Sequence, residues 1–168
     1  MQDSGATWKR VMGWSTVEGH WLRRKHFTQT LLDQIAERIG QGEQTHTGEL
    51  MLAVEAVSPD HEPDSRMRAL EVFGRLQVWD TPMNTGVLLY LALDRHSIQI
   101  IADRGVAAPD DAWEQVKDRL QARLRQKEYA AGVLAAIDEI ETILAASCPA
   151  ADGSHDNAND LPDMPVML

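Results

Sequence analysis

Residues 86–93, GVLLYLAL, constrain the fold more than any other stretch of the chain. A strand shows alternate side chains to opposite faces, so a run apolar at every position is apolar on both. Such a strand belongs in the middle of a sheet covered by helices on each side. The turn DRHS and a second β-rich run, SIQIIAD (97–103), follow at once. A connection this short joins antiparallel neighbours. An earlier compact run, ELMLAVEAV (49–57), reads as another strand. A helical segment separates it from GVLLYLAL, and that is the connection expected of parallel strands.

The remaining periodic segments read as helices. Phe27, Leu31, Leu32, Ile35 and Ile39 recur at helical spacing, and Gly40 and Gly42 are expected to stop that helix. Leu70, Phe73, Leu76 and Gln77 suggest the face of a second helix, with Pro63 in its first turn. Trp113, Val116, Leu120 and Leu124 form one stripe of a third, capped by Asp110 or Asp111. A last helix carries Val133, Leu134, Ile137, Ile140, Ile143 and Leu144. The order is α-β-α-β-β-α-α, which makes this an α/β chain, a layered domain about a mixed sheet.

Two flanking zones differ in composition. Residues 1–26 interleave Lys9, Arg10, Arg23, Arg24 and Lys25 with Trp8, Trp14 and Trp21, against only Asp3 and Glu18. This reads as a basic, Trp-bearing arm or helix that packs on the domain or touches a membrane surface or acidic partner. Residues 147–168 are polar and acidic without periodicity and read as a disordered tail. The domain between them is expected over 27–146. Glu55, set among apolar residues mid-strand, is expected to be buried and paired.

Composition narrows the function. The formal charge of −10 over 168 residues argues against nucleic acid, whose phosphates require Lys and Arg. Cys148 is the only cysteine, and no base stands near it in the sequence. Residues 1–21 hold no apolar segment of the kind found in export signals, and no run approaches the roughly 20 apolar residues of a membrane span. The expectation is a soluble, cytoplasmic protein, peripheral at the inner membrane. Phosphate-loop, dinucleotide, serine-hydrolase and zinc-protease motifs are absent, so no nucleotide or organic cofactor is indicated.

Folding the 97–103 strand back on 86–93 brings Asn84-Thr85-Gly86 opposite Asp103-Arg104-Gly105. The start of the first strand, Gly48-Glu49, falls at the same end of the sheet. Glu49, Asp80, Asn84, Asp103 and Arg104 thereby gather on one rim. Carboxylates with an amide carbonyl suit a hard cation such as Ca²⁺ or Mg²⁺, and an Arg fork suits a phosphate. The same residues also serve as turn caps, Asx-turns and surface ion pairs. Both readings stand on pattern alone.

The segments GELMLAVE, RMRALEVFGRLQVWDTPMNTGVLLYLAL, SIQIIADRGV, AWEQV and EYAAGVLAAIDEIETIL together resemble the TPM domain family, also called the TPM phosphatase domain, in its soluble bacterial branch. The resemblance covers roughly residues 28 to 146. It implies a three-layer α/β/α sandwich with a central mixed sheet. For some members it implies Ca²⁺ or Mg²⁺ binding, and for a thylakoid-lumen branch acid-phosphatase activity. Many bacterial members are membrane-tethered and encoded near LemA-type proteins, which implies a membrane or envelope protein as partner. Carried over, Asp80, Asn84, Asp103 and Glu49 are the metal-site positions and Arg104 the phosphate or substrate position. This chain has Asn-Thr-Gly where the family has Asn-Asn-Gly, and it is expected to be without the family's export signal, C-terminal membrane span and first strand. The expected function is a cation-binding or regulatory interaction module linked to envelope proteins; the alternative is a weak, divalent-metal-dependent phosphatase on phosphomonoesters.

Overall fold

The computed structural model describes residues 14–150 and 161–168. Helices α1 (Trp14–His26) and α2 (Gln29–Gly42) come first, then strand β1 (Glu49–Glu55) and helix α3 (Ser65–Arg75). Strands β2 (Gly86–Ala92) and β3 (Ser97–Ala102) follow, then helices α4 (Asp110–Arg125) and α5 (Tyr129–Ser147), and finally β4 (Val166–Met167). The sheet order is β3-β2-β1-β4. β1 and β2 are parallel, with Glu49 level with Gly86, while β2 and β3 are antiparallel, with Val87 level with Ala102. The α/β sandwich about a mixed sheet expected from the sequence is therefore present, extended by α1 and β4.

Both central strands are buried at every position. On one face Leu50, Leu52, Val54, Val87, Leu89 and Leu91 pack against α1, α2, α4 and α5. On the other, Met51, Ala53, Leu88 and Tyr90 pack against Ala69 and Val72 of α3. Alternation along each strand thus feeds two cores. The stripes expected for α2, α4 and α5 are the buried ones: Leu31, Ile35 and Ile39; Trp113, Val116 and Leu120; Val133, Ile137, Ile140 and Leu144.

Several expectations need correction. α2 runs on through Gly40 but does end at Gly42, the second glycine expected to stop it, with its last turn held by Glu43 N–H donating to Ile39 O. α3 begins after Pro63, at Ser65, because the Asp64 carboxylate accepts from Arg66 and Met67 N–H at 2.8 and 2.9 Å. Its buried face is Arg68, Ala69 and Val72, while Leu70 is 39% exposed. α4 has Pro109 at its N-cap with no side-chain cap; Asp110 and Asp111 lie in its first turn, where the helix dipole favours carboxylates.

Arg68 occupies a core position because Glu55 waits for it. Arg68 Nη2 and Nε donate to the two Glu55 carboxylate oxygens at 2.6 and 3.1 Å, and the Tyr90 hydroxyl donates to Glu55 Oε2. Burial, then the bond to Glu55, raises the Tyr90 phenol above its ordinary range. Glu55 is the structurally paired residue the sequence called for.

The tail from 147 to 168 departs from the expectation of disorder at its far end. Val166 and Met167 pair in parallel with Ala53 and Val54, Leu168 N–H donates to Val54 O, and Leu161 enters the α3-side core. These last eight residues, LPDMPVML, are richer in apolar side chains than the rest of the tail, and Leu161, Val166, Met167 and Leu168 all pack on the two cores beside the open edge of β1. The expected N-terminal arm is a helix over Trp14–His26, and its first thirteen positions, 1–13, lie outside the described residues.

Candidate functional site

The connection from α3 to β2 forms the rim by tight local bonding. Val78 N–H donates to Phe73 O, Asp80 N–H to Gln77 O, and Asn84 N–H to Thr81 O. The buried Thr81 hydroxyl accepts from Thr85 N–H at 2.9 Å, which closes the loop onto the start of β2. Asn84 sits at φ 55°, a left-handed conformation that Asn tolerates better than most residues.

The strand after β2 meets this loop as the hairpin requires. Asp103 N–H donates to Gly86 O at 2.9 Å, and Gly105 N–H to Asn84 O at 2.8 Å. Only glycine fits at 105: a Cβ there would stand 2.1 Å from Met83 O and 2.5 Å from Asn84 O. Asn84 and Asp103-Arg104-Gly105 are therefore side by side, as the strand pairing implied. Arg104 Nη2 donates to Asn84 Oδ1 at 3.3 Å, and Asp103 Oδ1 accepts from Arg104 N–H at 2.7 Å. Asp103 Oδ2 is a buried carboxylate oxygen with no hydrogen-bond partner. Asp80 is exposed in the same loop. Beside the rim, a groove of about 680 Å³ runs along β3 between Arg66 and Leu70 of α3 and Trp113 and Lys117 of α4.

Glu49 lies elsewhere. It begins β1 level with Gly86, but its side chain is buried and Oε2 accepts from Leu161 N–H at 2.6 Å. It belongs to a second polar cluster that sequence reasoning missed. Glu43 Oε1 accepts from Leu50 N–H at 3.2 Å, and His46 Nε2 lies 2.5 Å from Glu141 Oε2. Burial, followed by the nearby charge of Asp163, pushes the Glu43 carboxyl up to about 8; Glu49 and Glu141 add to the rise. Burial also raises Glu141, against the lowering pull of His46. The only sequence signal was a density of acids and a histidine in GEQTHTGE; their partner Glu141 is 95 positions away. Thr85 Oγ1 donating to Thr47 O at 2.8 Å ties the two clusters together.

Among the described residues, no three His, Cys, Asp or Glu side chains converge as a metal cage. A cation at the rim would therefore draw on Asp103 and Asp80, the Asn84 amide, and oxygens of backbone or water. The free Oδ2 of Asp103 fits such an ion; Glu49 does not reach outward to join it. Cys148 is buried, and burial pushes its thiol up, away from the reactive thiolate. No described helix is long and apolar enough to cross a membrane.

This fold, a mixed four-stranded sheet with helices on both faces, places the chain among α/β sandwich domains. The family model for the TPM domain matches residues 24–143, and the chain belongs to that family. No curated protein matches it. Among solved structures it is similar to the BA42 protein of the psychrophilic bacterium Bizionia argentinensis. That likeness has 25% identity and a TM-score of 0.73, and covers 84% of this chain and 94% of the other. The N-terminal domain of a P. gingivalis protein shares the fold at 19% identity and a TM-score of 0.60, covering 74% of this chain and 80% of the other. The N-terminal domain of cg2496 from Corynebacterium glutamicum does so at 12% and 0.56, covering 76% and 78%.

Proposed function

We propose that this TPM domain is a divalent-cation-binding module with a regulatory role, its site being the rim of Asp80, Asn84, Asp103 and Arg104. The supporting observation is Asp103 Oδ2, a buried carboxylate oxygen without a partner. An oxygen left so is costly unless something satisfies it, and a hard cation such as Ca²⁺ or Mg²⁺ does so directly. Asp103 and Asp80 hold the ion and Asn84 assists; a bound ion supplies positive charge at the mouth of the hairpin. Family membership supports a link to envelope proteins as partners.

Amide NMR of the full chain during Ca²⁺ and Mg²⁺ titration tests this reading. Shifts clustered at 80–86 and 103–105, abolished in Asp103→Asn, are expected. No shifts, or shifts confined to Glu43 and Glu49, would defeat it. One observation favours a second reading, weak phosphomonoester hydrolysis: Arg104 is exposed and held only by its long bond to Asn84, leaving its fork for a phosphate. Hydrolysis of an aryl phosphate with Mg²⁺ at the same rate in wild type and Asp103→Asn would remove that alternative.

A further inference from the structure

α1 presents an outward face that the rim does not use. Its buried side is fixed to the domain at several points. A Cβ on Gly19 would stand 1.8 Å from Ala56 O, so the helix backbone lies directly on the end of β1. Leu22 is in the core, His96 Nε2 lies 3.2 Å from Glu18 Oε1, and the His26 ring stacks on Tyr129 with centroids 4.0 Å apart. The helix cannot rotate about its axis without breaking these contacts. Its outer face is thereby set: Thr16 and Val17, His20 and Trp21, Arg24 and Lys25, three exposed pairs one helical turn apart.

The chemistry of that face is mixed in a specific way. Val17 is 70% exposed and Trp21 53% exposed, in positions where an isolated domain gains nothing from apolar groups. Lys25 Nζ sits 4.4 Å from the centroid of the Trp21 ring. Arg23, Arg24 and Lys25 fill the last turn, and the one carboxylate of the helix, Glu18, is engaged by His96. A recess of about 430 Å³ lined by His20, Arg23, Arg24 and Phe27 lies beside them. The chain as a whole is acidic, with a net charge of −10, and this helix is a locally cationic part of it.

We propose that the outer face of α1 docks on an anionic lipid bilayer. The cations meet phosphate headgroups, while Trp21 and Val17 enter the interfacial layer, where an indole's apolar ring and polar N–H are both accommodated. An acidic polypeptide would explain the cations but not the two exposed apolar side chains set in line with them. α1 meets the ends of β1 and β2 farthest from the rim, as its contacts at Ala56, Asp94 and His96 show, so a docked domain turns the rim toward solvent.

The test is co-sedimentation of the full chain with vesicles of phosphatidylcholine, with and without phosphatidylglycerol. Binding is expected only with the anionic lipid and should fall as salt rises. Arg24→Gln with Lys25→Gln should weaken it on the order of tenfold. Trp21→Ala should weaken it several-fold, and a blue-shifted emission on binding should vanish with it. All three side chains are exposed, so unchanged circular dichroism is expected to show intact folding. Equal binding to both vesicle types, or none to either, overturns the proposal. So does a loss in the charge variant with Trp21→Ala unaffected and polyglutamate competing fully, which would assign the face to an acidic polypeptide.

Discussion

At the scale of single residues, the fold depends on two buried charged groups treated in opposite ways. Glu55 is ionically and geometrically satisfied by Arg68 and Tyr90. Arg68→Met leaves that carboxylate buried without its counter-charge and should cost about 3–5 kcal/mol in urea unfolding. Arg68→Met combined with Glu55→Gln should recover part of the loss, since the stranded charge is gone. Glu43 differs in its protonation, its carboxyl being raised from 4.5 to about 8 chiefly by burial. The folded chain then keeps a proton that the unfolded chain releases. Stability from this group is complete below about pH 4.5 and is lost as pH rises through about 8. Glu141, raised in the same sense, adds to the slope. Glu43→Gln should flatten the fall in melting temperature across that window, removing about 1–3 kcal/mol of pH dependence.

At the scale of elements, the β2–β3 hairpin was the most legible part of the chain. A run apolar on both faces, a four-residue turn and a second β-rich run left one arrangement, and Asp103, Gly105 and Asn84 fell where that arrangement put them. α3 was legible as a helix but not in its phase. Its buried row contains Arg68, and a charged residue enters a core only through a partner, Glu55, that periodicity cannot supply. β4 was not legible at all, because two residues carry no period and their order comes from the exposed edge of β1. Removing residues 161–168 should therefore raise hydrogen exchange at Val54, whose backbone bonds face β4 and whose carbonyl accepts from Leu168 N–H, and lower stability by about 1–2 kcal/mol through the lost burial of Leu161. Exchange at Leu89 and Tyr90, inside the sheet, should change far less.

At the scale of the whole molecule, the sheet separates the chemistry by end. The rim and the Glu43–His46–Glu141 cluster stand where β1 and β2 begin; α1 stands where they finish, about 20 Å away along a strand of seven residues. The first of these ends was readable because polar turn residues announce themselves beside strands. The acidic cluster was not, because its members come from the cap of α2, the loop before β1, and α5, and only packing joins them. The two margins of the sheet are also unlike. β1 is paired at Ala53 and Val54 by the chain's own last residues, whereas β3 faces the groove between α3 and α4 with no strand among the described residues on its outer side. Of the two margins, the six-residue β3 offers a foreign strand the longer run of open backbone, so strand addition between copies would begin there.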